Sequence, residues 1–339
     1  MKSDIILLGH GSGGTLSHRL LDELIVPILS GLEPRDQNDA AVLPPVAGRL
    51  AFTTDSYVVD PLFFPGGDIG CLAVYGTVND LAMAGARPLA ISVGLILEEG
   101  LLVADLERVL RSMRAAAERC RVAIVTGDTK VVPRGKADRL FINTAGIGAL
   151  EHDLQISGSG ARPGDRVLIN GSFGEHGMAV LASREGLELT SPIRSDCAPL
   201  HELVADLLRE LGDQVHALRD PTRGGVATTL KEIARQSDLT ITIAEAALPV
   251  TPAVAGACAI LGLDPLYVAN EGKLLVCVAP EAAAATLAIM HRHASAEGIG
   301  PAVIGEVTAE QGGKVRLRTV IGGMRVIEML AGEQLPRIC

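Results

Sequence analysis

The chain has 339 residues, enough for two domains with a core each. Its aromatics amount to three Tyr, five Phe and no Trp, which excludes base-stacking nucleic-acid modules. A net charge of −10 without a basic block excludes nucleic acid and anionic membrane surfaces as partners, and suits a protein that holds metal ions.

The six cysteines (Cys71, Cys120, Cys197, Cys258, Cys277, Cys339) are never closer than 19 residues apart, so no zinc-like or thioredoxin-like pair exists. The start "MKSDIILLGHG" turns polar and Gly-rich within nine residues, so no signal peptide and a cytoplasmic protein with reduced thiols are expected. The uncharged run "AALPVTPAVAGACAILGL" contains Pro249 and Pro252, and reads as a strand end, a turn and a buried helix rather than a membrane span.

In chain order, "DIILLGHGSGG" is a short apolar run into a Gly-rich turn. The helix "LSHRLLDELIVPIL" follows, with Leu20, Leu21, Leu24 and Ile28 at helical spacing. "AAVLPPVAGRLAFTTDSYVV" reads as two extended runs about a Pro-Pro turn. "DIGCLAVYGTVNDLAMAGA" is a buried helix of small residues, "PLAISVGLIL" a strand, and "VADLERVLRSMRAAAERC" an amphipathic helix. "VAIVTGDTKVV" and "RLFINTAGIGAL" are strands. The Gly-rich run "SGSGARPGD" (157–165) is the best boundary. Beyond it come "RVLINGSFGEHGMAVL", the helix "APLHELVADLLREL", and "VHALRDPTRGGVATTLKEIARQ", a strand into a helix. "LTITIAEAAL", "PLYVANEGKLLVCVA" and "AVIGEVTAE" read as strands. The last ten residues have no period and contain Pro336, so a loose tail is expected.

"GHGSGG" (9–14) satisfies G-x-G-x-x-G between a strand and a helix. A dinucleotide fold would need a second strand ending in an acid about 20 residues on. That place holds "GLEPRDQND", which is not a strand, so a phosphate-binding Gly loop is the better reading. Five aspartates stand where strands stop or turns begin: Asp39, Asp55, Asp80, Asp128 and Asp220. On its helix Asp80 shares a stripe with Ala73, Thr77 and Ala84, which implies close approach of something cationic. One such Asp reads more readily as a cap or a buried helix contact. Five beside Gly and Thr point to a magnesium–nucleotide site, since magnesium takes carboxylates, waters and phosphate oxygens. Lys130 in "GDTKVV" suits a phosphate contact or acid–base work; a lone strand Lys would be a solvated charge. Glu271 in "ANEGK" is equally a turn residue or a functional acid. His176 in "GEHG" starts a helix, where a neutral His or an anion contact fits. The final Cys339 is not a prenylation box, which places Cys fourth from the end. On a tail without other structure it reads as a carried nucleophile.

The pieces "GHGSGG", "DAAVL", "TTDSYVVDPLFFPGGDIG", "GTVNDLAMAGA", "GDTKVV", "NTAGIG", "DPTRGG", "ANEGK" and "PRIC" occur together over essentially the whole chain. In this the sequence resembles the HypE family of hydrogenase-maturation carbamoyl dehydratases, within the PurM-like superfamily of aminoimidazole ribonucleotide synthetase. The resemblance implies an α/β fold of α+β type: two PurM-like domains plus a flexible C-terminal tail. Residues 1–156 would bind ATP and dimerise, 157–329 form the second domain, and 330–339 carry Cys339. It implies ATP and Mg2+ as cofactors. A HypF-type carbamoyltransferase would load Cys339. The S-carbamoyl group would be dehydrated to a thiocyanate, and the cyano group passed to iron on a HypC–HypD complex for a NiFe hydrogenase. The implied catalytic residues are Cys339, Glu271 and Lys130. ATP contacts are expected from Gly11, Gly13, Gly14, Asp55, Asn79, Asp80, Gly127, Asp128, Thr129, Lys130 and Arg223, and metal ligation from Asp39, Asp55, Asp80 and Asp220. A homodimer is expected as well. The rival readings are a superfamily enzyme acting on a diffusible substrate (selenophosphate synthetase, thiamine-phosphate kinase) and a non-enzymatic scaffold. Nucleotide hydrolysis that depends on Cys339 separates all three.

Overall fold

The computed structural model describes residues 4–29, 40–187, 193–294, 298–330, 332 and 338–339. It is a mixed α/β molecule with two main sheets. No helix among these residues is long and apolar enough to cross a membrane.

The Gly-rich stretch forms a 3-10 turn (Leu8–Gly11), then α1 (Thr15–Leu20), which runs through a π turn (Leu21–Ile25) into α2 (Val26–Leu29). Pro27, which lacks an N–H, sits just past the π turn, where the regular i→i−4 ladder is interrupted. The first sheet comprises β1 (Arg49–Tyr57), β4 (Arg87–Glu98), β5 (Ala123–Val132) and β6 (Leu140–Leu150), in the order β1-β6-β4-β5. Of the two extended runs expected about Pro44–Pro45, only the second is a strand, β1. The proline-rich stretch before β1 makes no ladder, as two missing N–H donors dictate. A two-residue ribbon, β2 (Phe63–Phe64) and β3 (Gly67–Asp68), leads into α3 (Ile69–Met83). The parallel pair β4–β5 is joined by the amphipathic α4 (Val103–Cys120).

Helices α3 and α4 cover one face of this sheet. Strand alternation puts Thr53, Asp55 and Tyr57 on that face and leaves Phe52 and Leu50 exposed on the other, at 71% and 57%.

The second sheet contains β7 (Arg166–Ile169), β8 (Val215–Arg219), β9 (Leu239–Ala244), β10 (Leu275–Val278), β11 (Ala302–Gln311), β12 (Val315–Arg318) and β13 (Met324–Ile327), ordered β13-β12-β9-β11-β7-β10-β8. Its helices are α5 (Glu175–Glu185), α6 (His201–Leu211), α7 (Gly225–Ser237), α8 (Pro252–Leu261) and α9 (Ala283–His293). Strands β7, β8 and β10 bury both faces. Leu275 and Cys277 pack with Leu230 and Ile233 of α7, while Val276 and Val278 pack with Leu207 of α6 and Met290 of α9. That explains the near-continuous apolar runs of the sequence. The expected strand over 265–279 is a 3-10 turn (Pro265–Tyr267) and a loop up to β10, because "ANEGK" is committed to other contacts. In α8 only Val254, Ala257 and Cys258 are buried and Ile260 is 81% exposed, so this helix lies at the surface rather than inside.

Candidate active site

Helix α3 carries the site's first wall. Asp68 caps it, accepting from Gly70 N and Cys71 N, and its middle is too small to hold the sheet at a distance. A Cβ on Gly76 would collide with the Tyr57 hydroxyl. Thr144 on β6 donates to Ala73 O at 3.3 Å and meets the Thr77 hydroxyl at 2.5 Å, fixing helix to sheet. One turn further, Asp80 accepts from Thr53 Oγ1 at 2.8 Å. Asp80 is thus held in one orientation beside Asp55.

The second wall comes from the other sheet. Asp220 and Arg223 follow β8, and Glu271 stands in the loop before β10. Burial pushes the Asp80 carboxyl up, and neighbouring Asp55 adds to it. Asp220 is pushed up to about 7, first by burial and then by Asp80. Glu271, buried to 4% exposure, is raised well above the ordinary range by burial, then Asp220, Asp196, Asp55 and Asp80. Arg219 and Arg223 are the cations that oppose this for Asp80. Mutually repelling hard oxygen donors are the donor chemistry a magnesium ion fits. Among the described residues no three His, Cys, Asp or Glu side chains are gathered tightly enough to cage an ion.

Between the walls lies the chain's end. Ile338 is buried in the core of the first sheet, and its carbonyl accepts from His176 Nε2 at 2.6 Å. Cys339 O accepts from Val58 N at 3.1 Å. The Cys339 thiol is half-buried and pushed up to about 12 by burial, then Glu271; Arg223 opposes. The loose tail expected from the sequence leaves the resting place of Cys339 open; here it lies inside the site. Two successive main-chain oxygens and the Ile338 side chain seat it among Glu271, Arg223 and Asp55.

The expected residues divide into two groups. Asp55, Asp80, Asp220, Arg223, Glu271 and Cys339 come together as described. Gly11, in the same loop as Gly13 and Gly14, lies instead against the far edge strand, β5, which also holds Gly127, Asp128, Thr129 and Lys130. A Cβ on Gly11 would meet Val131 at 2.8 Å, and Gly13 has φ +77°, so this loop has to be glycine. Beside it a cavity of about 600 Å3, lined by Leu21, Ile25, Val93, Leu95, Gly127 and Thr129, has the size of a small-molecule site.

Two expectations need correction. Asn79 is 1% exposed, and both of its N–H donors are spent inside the fold: Nδ2 donates to Ala198 O (3.0 Å) and Glu271 O (3.3 Å), while Oδ1 accepts from Leu200 N (2.8 Å). It clamps the segment around residue 198 to the Glu271 loop, so its N–H groups are not offered to a nucleotide. Lys130 does not reach Glu271 or Cys339 within one chain. Register pairs Asp55 with Thr144, Thr144 with Val93, and Val93 with Gly127, so Asp128 and Lys130 alternate onto the opposite face. Three strand spacings, about 14 Å, also separate β5 from β1. There Lys130 Nζ pairs with Asp128 at 2.7 Å, both exposed. Asp39 lies outside the described residues.

Sequence reasoning left out the segment that knits the site. Ser195 N donates to Pro65 O at 2.8 Å, Asp196 Oδ1 accepts from Glu271 N at 3.1 Å, and Ser195 Oγ meets His176 Nδ1 at 2.8 Å. "SDCAPL" carries no motif that would have revealed this.

Residues 37–150 match the family model "AIR synthase related protein, N-terminal domain", and 162–318 match the corresponding C-terminal domain. A carbamoyl dehydratase HypE from Cupriavidus necator is 52% identical across 100% of this chain and 96% of its own length. The one from Escherichia coli K12 is 47% identical across 98% and 99%. Among solved structures, a hydrogenase maturation protein HypE in complex with ATP superposes with TM-score 0.91 at 51% identity, covering 98% of this chain and 99% of that one. A HypE–HypF complex gives TM-score 0.79 at 43% identity, covering 94% and 100%. A thiamine-monophosphate kinase from Stenotrophomonas maltophilia, at 21% identity and TM-score 0.64, shares the fold.

Proposed function

The chain belongs to the HypE family of carbamoyl dehydratases, and from that premise we propose that it uses ATP to dehydrate an S-carbamoyl group carried on its own Cys339, yielding a thiocyanate. The observation that carries this reading is the seat of Cys339 among Glu271, Arg223 and Asp55. A thiocarbamate oxygen is a very poor leaving group. Phosphoryl transfer from ATP to that oxygen makes it a good one. Loss of both N–H protons then lets the C≡N bond form as phosphate departs, leaving ADP. Asp55, Asp80 and Asp220 would hold magnesium, which when bound neutralises charge building on the transferred phosphoryl group. Glu271 is the base. Burial first, and then Asp220, Asp196, Asp55 and Asp80, favour its protonated form, and a cation held by those aspartates would lower the carboxylate repulsion. Arg223 lies on the side of the thiol that balances Glu271.

The partners are those the family resemblance implies. A HypF-type carbamoyltransferase loads the thiol, and a HypC–HypD complex receives the cyano group as an iron ligand for a NiFe hydrogenase. The exposed Phe52, Leu50 and Ile96 favour a homodimer whose first sheets pair face to face. Lys130 and Asp128 lie on that same face, so in the dimer they would sit at the interface.

Intact mass after incubation with the carbamoyltransferase, before and after ATP, tests the reaction. The carbamoyl mass should be gained on the wild type and absent from Cys339→Ala, and one water should be lost once ATP is added. Carbamoylation of Cys339→Ala would overturn the reading.

A further inference from the structure

His176 is fully buried at the start of α5, yet phosphoryl transfer and proton removal leave it without a task. Its partners fix its protonation by elementary chemistry. A peptide N–H can only donate and a carbonyl can only accept. Cys197 N donates to Ser195 Oγ at 3.1 Å. At the other end His176 Nε2 faces Ile338 O at 2.6 Å, so Nε2 must carry a proton. The hydroxyl of Ser195, already accepting from Cys197, then has its proton free for Nδ1 at 2.8 Å. The four groups form one directed chain, from the Cys197 amide through Ser195 and His176 to the Ile338 carbonyl.

The ring is also fixed in space. Phe64 meets it edge to face with centroids 5.4 Å apart. Gly174 N donates to Asn270 Oδ1 at 2.6 Å, and Gly177 N to Ala269 O at 3.1 Å. These two bonds tie the start of α5 to the loop that carries Glu271 as its next residue. The group that grips residue 338 is therefore built on the same loop as the acid that faces residue 339.

We propose that His176 is a positioning residue: locked as the Nε2–H tautomer by Ser195, it holds the Ile338 carbonyl and so sets the register in which Cys339 faces Glu271. This rests on the reading of Cys339 as substrate carrier. The contact is to main chain and lies one residue from the sulfur, so it is indifferent to what the sulfur carries. Free thiol, thiocarbamate and thiocyanate are all seated at the same depth. Burial also pushes the imidazole's pKa below its usual value, which keeps the ring neutral at working pH.

The test is peptide-resolved alkylation of Cys339 by iodoacetamide in the full-length protein, which needs neither ATP nor a partner. It reads seating even if the carbamoyl chemistry proposed above were wrong. His176→Phe keeps the ring volume and the contact with Phe64 but loses the donor, and should raise the Cys339 alkylation rate about tenfold. His176→Gln restores an amide donor and should return the rate to within about twofold of wild type, a rescue that a purely space-filling role would not give. Should His176→Phe fail to fold, Ser195→Ala serves: without its Nδ1 partner the tautomer is no longer fixed, and the rate should rise about threefold. The nitrogen-15 spectrum of the wild type should show His176 protonated at Nε2, with that resonance moving when the last two residues are removed. An unchanged alkylation rate in folded His176→Phe, or an Nδ1-protonated His176, overturns the proposal.

Discussion

The seated Cys339 should be a poor nucleophile, and its pH profile measures how poor. Alkylation proceeds through the thiolate, so rate follows the fraction ionised. The site lifts this thiol from 9.0 to about 12, chiefly by burial and then by Glu271. Three pH units lower the thiolate fraction at pH 8 about a thousandfold relative to an unperturbed cysteine. The chain's end can also leave its seat, and the measured rate then reports the unseated fraction; the thousandfold figure is a ceiling on protection. The assay is peptide-resolved alkylation across pH 7 to 10, with a short peptide bearing the same last residues as reference. Protection of at least about tenfold at pH 8 is expected, with the rate still climbing about tenfold per unit near pH 10, after the reference has levelled off. A Cys339 that reacts at the peptide's rate at pH 8 would refute the seating and, with it, the role assigned to Glu271 as its neighbour.

Glu271→Gln should keep nucleotide binding while slowing water loss from the carbamoylated protein by 10^2–10^4, the usual share of a general base; lost ATP affinity would instead put Glu271 in the phosphate shell. Asp80→Asn keeps an acceptor for Thr53 Oγ1 but not the charge, so folding should persist and ATP-dependent dehydration stop; full dehydration would remove Asp80 from the metal set. Asn79→Ala strands Ala198 O and Leu200 N in a buried seam and should cost about 1–3 kcal/mol in denaturant unfolding, while an unchanged midpoint would show that the clamp is dispensable.

The regular elements were legible because their signals are local. Helix α4 has its stripe, β4 and β6 have their apolar runs, and "DPTRGG" opens α7. Clustering of Asp55, Asp80, Asp220 and Glu271 was legible only as types beside turns, since each stands at the end of an element that the fold brings to one seam. What could not be read was direction. "GDTK" looks like one motif along the chain, but strand alternation sends Thr129 to the helix side and Lys130 to the other. "TVND" likewise looks like a ligand pair, yet Asp80 faces Thr53 while Asn79, about 100° around the helix, turns to Ala198 and Leu200. The segment around Ser195 gave no signal because its contribution is mostly main chain, and any residue has an N–H and a carbonyl to offer.

The seat imposes an order on the reaction. A thiol held at about 12, between a buried acid and two sheets, is the wrong state to attack a carbamoyl donor. Loading therefore calls for an unseated chain end, where the thiol recovers its ordinary acidity. Dehydration calls for the reverse, since Glu271 and the carboxylates of α3 and β8 act only on what is brought among them. The grip that separates the two stages uses hydrogen bonds to main-chain oxygens, from Val58 N and His176 Nε2, and the burial of Ile338. Each is worth on the order of 1–2 kcal/mol, about 3–6 kcal/mol together before the entropy of ordering the chain end is subtracted. A partner with micromolar affinity for the extended end can reverse that balance. A tighter grip, through a charged pair for example, would protect the loaded sulfur better but would slow both its loading and its delivery.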